Sequence, residues 1–145
     1  MSGPSIPVKA AMLGYAGIIP FLAPILLILY ASTTLRQPAL DAFLVYGAVI
    51  LSFLGGIRWG AVTSGSNTAN PALVFSVVPS LWAAACLLLP SDTWSAWGLM
   101  TGFVLMGLAD WFYPVPGIAA WMRPLRARLT LAVCTCHLLI IGLIQ

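Results

Sequence analysis

Residues 39–63 read ALDAFLVYGAVILSFLGGIRWGAVT, a run in which Asp41 and Arg58 are the only charges. Coiled into a helix at 1.5 Å per residue, such a run exceeds the roughly 30 Å of hydrocarbon in a bilayer. It shows no strict alternation of apolar and polar residues, so a half-buried strand does not fit it. The run is a transmembrane helix in expectation, and the rest of the chain is to be read against it.

Working outward, the same apolar character recurs. Of 145 residues, 61% are hydrophobic and 6% are charged, against about 25% charged in an ordinary soluble domain. Nine charges cannot surface a water-soluble fold of this size, so lipid is the expected solvent for most of the outside. The chain divides into five apolar runs, at about 10–31, 39–63, 71–89, 95–113 and 125–145. Turn and cap residues separate them: Ser32 to Pro38, Ser64 to Asn70, Pro90 to Thr93, and Pro114 to Pro124. Pro71 and Pro124 suit first helical turns, and Ser91 or Asp92 suits the N-cap of the fourth helix. The expected fold is all-α, a single integral membrane bundle of five transmembrane helices.

Lys and Arg favour the cytoplasmic side of a membrane. An N-in, C-out arrangement gathers Lys9, Arg58, Arg123, Arg126 and Arg128 on that side and leaves Arg36 on the other. Trp59, Trp111 and Trp121 then mark the inner interface, with Trp94 and Trp97 at the outer one. The basic residues are scattered singly, with no basic stripe for nucleic acid. Their expected partners are lipid headgroups, with Arg123, Arg126 and Arg128 foremost. Cys86, Cys134 and Cys136 sit inside apolar runs and read as small buried side chains. With no Arg-rich leader ahead of the first span, the expected location is a bacterial inner (cytoplasmic) membrane ahead of a mitochondrial one.

Four features invite a functional reading. Ala48, Ser52, Gly56 and Gly60 recur every four residues, and Gly98 and Gly102 repeat the pattern in the fourth run. Such small residues let backbones approach, within the bundle or between subunits, or else form the wall of a cavity. Arg58 lies about 10 Å from the midpoint of its run by helical rise. It either snorkels to the headgroups or pairs with Asp110, which the parallel fourth helix carries to the same depth. His137, the single histidine, follows Cys134-Thr135-Cys136. The cysteines point about 200° apart on a helix and chelate poorly, which leaves His137 as a hydrogen-bonded packing residue or a lone axial ligand. Pro20, Pro24 and Pro79 bend their helices and could open a niche for a lipid or quinone tail.

The stretches Leu13-Gly14-Tyr15-Ala16-Gly17-Ile18-Ile19-Pro20-Phe21, Tyr46 to Gly60, and Pro124-Leu125-Arg126-Ala127-Arg128-Leu129-Thr130 resemble the domain-of-unknown-function 3429 family, which includes transmembrane protein 69-like proteins of mitochondria. The likeness is strongest over Leu51-Ser52-Phe53-Leu54-Gly55-Gly56-Ile57-Arg58-Trp59-Gly60. Many members are expected to carry histidine where this chain has Arg58, and arginine is a very poor metal ligand. The resemblance implies a small polytopic inner-membrane protein and no established activity.

With three Asp, no Glu, one His and no phosphate loop or serine elbow, an enzyme is not expected, nor is a cofactor or a metal. The preferred expectation is a non-catalytic membrane protein acting by helix packing and lipid contact, as an accessory or assembly subunit, in a homo-oligomer or a larger complex. The alternatives are a small transporter or channel using Arg58 and Asp110, and a pigment-, haem- or quinone-binding protein. Five spans do not divide into the equal inverted halves common among transporters.

Overall fold

The computed structural model describes residues 5–64 and 71–145. The described residues fold into helices alone: α1 (Val8–Ala16), α2 (Ile19–Tyr30), α3 (Thr33–Thr63), α4 (Ala72–Leu87), α5 (Asp92–Phe112) and α6 (Met122–Ile144). α1 and α2 are two pieces of the first apolar run, broken at Gly17 and Ile18. The amide of Ile18 turns back to the Tyr15 carbonyl and that of Phe21 to Ile18, both tighter than the α-helical step. Pro20, with no N–H, sits in the first turn of α2 where a donor is not needed. The Gly17 carbonyl left free by the break accepts a hydrogen bond from the Tyr46 hydroxyl of α3, at 3.0 Å.

α3 starts earlier than the expected boundary at residue 39 and carries Pro38 inside it. Pro38 and the turn before it are exposed, so the carbonyl that loses its amide partner is open to solvent or headgroups. Ser91 stands at the N-cap of α5 but makes no side-chain cap bond. Instead Gln37 donates to both Asp41 and Asp92, at 2.9 and 3.0 Å, tying the starts of α3 and α5 together.

Three contacts in register make α3 and α5 parallel: Gln37 to Asp92, Leu51 against Gly102, and Arg58 to Asp110. α4 runs antiparallel to both. Its Ser76 and Pro79 meet Gly55, and its Trp82 and Cys86 meet Gly102 and Gly98. α6 runs antiparallel to α5, with Thr130 against Gly107 and His137 beside Phe103. The centre is Phe21, Phe43, Leu51, Leu99, Phe103, His137 and Ile140, all fully buried.

The outside is as apolar as the inside. Leu22, Leu26, Val45, Val49, Phe53, Phe75, Leu81, Leu105, Leu108, Leu131 and Leu138 are all exposed, far beyond the apolar patches that water-soluble monomers display. The molecule is a helical membrane bundle. By length and composition, Val8–Tyr30, α3 and α6 are each sufficient to cross a bilayer, with mean hydropathies of 2.2, 1.9 and 2.0. α4 has 16 residues, about 24 Å, and is short for a full span. α5 has 21 residues, but two aspartates, two threonines, a serine and three glycines dilute it.

Candidate functional site: a buried arginine, aspartate, arginine clasp

The helix directions gather the ends of α3 and α5 and the start of α6 at one end of the bundle. Lys9, Arg58, Arg123, Arg126 and Arg128 fall at this end with Asp110, a net charge of +4; Arg36, Asp41 and Asp92 at the far end carry −1. Buried positions along α3 follow Leu44, Ala48, Leu51, Gly55, Arg58 and Val62, in steps of three and four. That stripe turns Arg58 inward. On α5, Leu99, Phe103, Met106 and Asp110 share the inward face in the same way. On α6 it is Arg126, Val133, His137 and Ile140.

The structure brings Arg58 and Asp110 together. Arg58 Nη1 donates to Asp110 Oδ1 at 2.9 Å, and Arg58 Nη2 donates to the Tyr113 carbonyl at 3.2 Å. Sequence reasoning missed the third member: Arg126 Nε lies 2.8 Å from Asp110 Oδ2. The distance makes this an ion pair, but the N–H does not point along it, so Nε is without a directed hydrogen bond. All three side chains are 10% exposed or less. Asp110 is therefore held on both oxygens, and the three-residue cluster keeps a net charge of +1.

Arg126, expected with Arg123 and Arg128 to contact lipid headgroups, is turned into the bundle. Arg128 is exposed and Arg123 half-buried, but Arg126 is 7% exposed. The signal that identifies it is spacing, since Arg126 stands seven residues before Val133 and fourteen before Ile140, on the face that packs inward. Arg123 Nη2 donates to the Trp111 carbonyl at 2.6 Å, and its guanidinium lies 5.2 Å from the Trp111 ring centre.

Two hollows flank the clasp. One is a recess of about 20 Å³ lined by Asp110, Pro114, Val115, Ile118, Arg123 and Arg126. The other is a groove of about 840 Å³ between α4 and α5, with Phe75, Pro79, Trp82, Leu105 and Phe112 in its walls and Arg58 at its end. Phe75, Leu105 and Phe112 are more than half exposed, so the groove opens sideways to the surroundings of the bundle.

The small residues divide. A Cβ on Gly55 would stand 2.5 Å from the Ser76 carbonyl oxygen, and one on Gly102 would stand 2.5 Å from Leu51 Cδ2. Gly98 meets Cys86 Sγ, and its carbonyl accepts from the Trp82 indole at 2.8 Å. Ala48 is buried and Ser52 half-buried, but around Gly56 and Gly60 nothing among the described residues lies within 4 Å of a Cβ. The close approach inside the chain is at Gly55, not at Gly56 and Gly60. Residues four apart advance 40° around a helix, so by Gly60 the stripe has turned 120° from Ala48 and faces outward.

His137 has no exposed surface and is caged by Phe21, Phe43 and Phe103, with ring centroids 5.8, 4.8 and 5.5 Å away. Its Nδ1 donates to the Val133 carbonyl at 2.9 Å, which leaves Nε2 facing Gly47. The imidazole thus packs as a core side chain among the three rings.

An all-helical bundle with a lipid-like exterior and most of its charges at one end defines a polytopic membrane protein. The family model described as protein of unknown function, DUF3429, matches residues 6–142, and the chain belongs to that family. It is similar to transmembrane protein 69 of Xenopus tropicalis, 37% identical over 131 residues covering 86% of this chain and 50% of the relative. Transmembrane protein 69 of Mus musculus is 34% identical over 130 residues, covering 86% and 52%. The chain thus spans about half the length of the curated relatives it matches. No solved structure matches it.

Proposed function

We propose that this chain is a non-catalytic, multi-pass inner-membrane protein that works by helix packing and lipid contact, as an accessory or assembly subunit holding a membrane lipid against its α4–α5 face. The observation that carries this reading is the lateral groove. It is of the size that small-molecule sites reach, its walls are almost wholly apolar, and it opens at the height of the exposed belt with a cationic side chain at one end. An acyl chain satisfies that lining and is present everywhere around the bundle. The five-span, N-in arrangement fits it, because the arginine end then faces the cytoplasmic headgroups. Transport past Arg58 and Asp110 is the weaker reading, since both oxygens of Asp110 are already held by arginines.

The test is native mass spectrometry of the protein extracted in mild detergent. Bound lipid, lost on Ala109→Phe in the groove wall, and a co-purifying protein partner are the expected results. A chain that arrives bare, or that holds the same lipid after the groove is filled, contradicts the reading.

A further inference from the structure

The clasp leaves part of Arg126 unused. Its Nη1 and Nη2 are buried and have no hydrogen-bond partner among the described residues, and the same is true of Arg123 Nε. Both guanidiniums line the recess beneath Pro114, Val115 and Ile118. Arg123 and Arg126 against Asp110 give the recess lining a net charge of +1, and Arg58 holds the other oxygen of Asp110 from outside it. Buried cationic donors without acceptors are costly, and charge-assisted hydrogen bonds to an anion offset that cost best. The Asp110 carboxylate does not repel such an anion strongly, because Arg58 and Arg126 already flank it.

From this geometry we propose that the recess seats one oxyanion oxygen of a phosphate group, held by Arg126 Nη1 and Nη2 and by Arg123 Nε. A volume of about 20 Å³ admits roughly one oxygen-sized atom. The rest of the group therefore stays at the rim, where Arg123 bonds the Trp111 carbonyl and lies over its ring, and tryptophan marks a headgroup interface. That placement assigns the phosphate to the phosphodiester of a membrane phospholipid. The inference rests on the membrane-lipid reading above and adds the headgroup to it.

Thermal unfolding of the full chain in detergent tests the seat, with phosphatidylglycerol, diacylglycerol of the same acyl chains, or inorganic phosphate added. Phosphatidylglycerol is expected to stabilise more than diacylglycerol, which lacks the phosphate. Arg123→Gln, which leaves Arg58, Asp110 and Arg126 in place, is expected to weaken the phosphatidylglycerol effect about tenfold, the worth of a charged hydrogen bond. Arg128→Gln, exposed on the same helix and outside the recess, is expected to leave it unchanged. Arg126→Lys keeps the charge facing Asp110 and loses the free Nη edge, so it follows Arg123→Gln. Equal stabilisation by both lipids overturns the seat while leaving the groove reading intact, and stabilisation by neither overturns both. Equal weakening by Arg128→Gln and Arg123→Gln reduces the effect to surface charge and also overturns the seat. Full reproduction by millimolar inorganic phosphate keeps the oxyanion site and overturns the lipid as its source.

Discussion

Asp110→Leu removes the one anion that faces two buried guanidiniums. In the native chain each arginine has a nitrogen within 3 Å of an Asp110 oxygen, at 2.9 and 2.8 Å. Taking away one partner of a buried ion pair typically costs about 3–5 kcal/mol, because the other charge is left uncompensated. Here two charges lose their partner. Arg58 keeps its bond to the Tyr113 carbonyl, which offsets part of the loss, so about 4 kcal/mol is expected. Against a total stability of about 5–15 kcal/mol, that is a large share. The assay is denaturant titration of the detergent-solubilised protein, read by tryptophan fluorescence. The triple variant Asp110→Leu, Arg58→Met, Arg126→Met is expected to recover most of the loss, since no unpaired charge then remains inside. A single-variant cost below about 1 kcal/mol, or simple additivity across the three sites, refutes the clasp and returns both arginines to snorkelling.

Other outcomes follow from the packing. Gly55→Ala forces a methyl group against the Ser76 carbonyl and is expected to cost about 1–3 kcal/mol of overpacking, while Gly56→Leu, with open space around it, is expected to leave monomer stability within about 0.5 kcal/mol; equal effects in the same titration would remove the α3–α4 contact. His137→Phe replaces an imidazole whose Nε2 is unsatisfied by a ring that fits the aromatic cage. Stability unchanged or higher is expected, and loss of a bound chromophore would restore the axial-ligand reading. Trp82→Phe removes the indole donor to the Gly98 carbonyl at about 1 kcal/mol, seen as a lower unfolding midpoint. Reporter fusions after Lys9 and after Gln145 should report cytoplasm and exterior; both ends on one side contradicts the five-span topology.

The fold was legible because lipid demands long apolar runs and the breaks between them carry proline, glycine and polar residues. The depth match of Arg58 and Asp110 was legible too, since helical rise alone places two charges along parallel helices. Facing was harder to see. Arg126 sits near a polar loop and beside Arg128, so proximity to the chain's basic cluster suggested a surface role, while the heptad relation to Val133 and Ile140 points it inward. The glycine pair shows the same lesson, because a one-residue difference between Gly55 and Gly56 turns a side chain by 100° and exchanges a helix contact for the exterior. The split of the first run into α1 and α2 leaves a carbonyl whose partner, the Tyr46 hydroxyl, comes from another helix. The groove and recess arise from how α4, α5 and the segment after α5 pack, and no local pattern encodes them.

The claim on which the rest depends is that α5 and α6 meet in the register that sets Asp110 between its arginines. One turn from the clasp, a Cβ on Gly107 stands 3.5 Å from Thr130 Cβ, within the separation a disulfide requires. The most direct test is the Gly107→Cys, Thr130→Cys pair in a chain with Cys86, Cys134 and Cys136 replaced by serine or alanine, oxidised in native membranes. An intramolecular crosslink, seen as a mobility shift that reductant reverses, is the result this register predicts. Thiols that stay free, or that join only between chains, would contradict it.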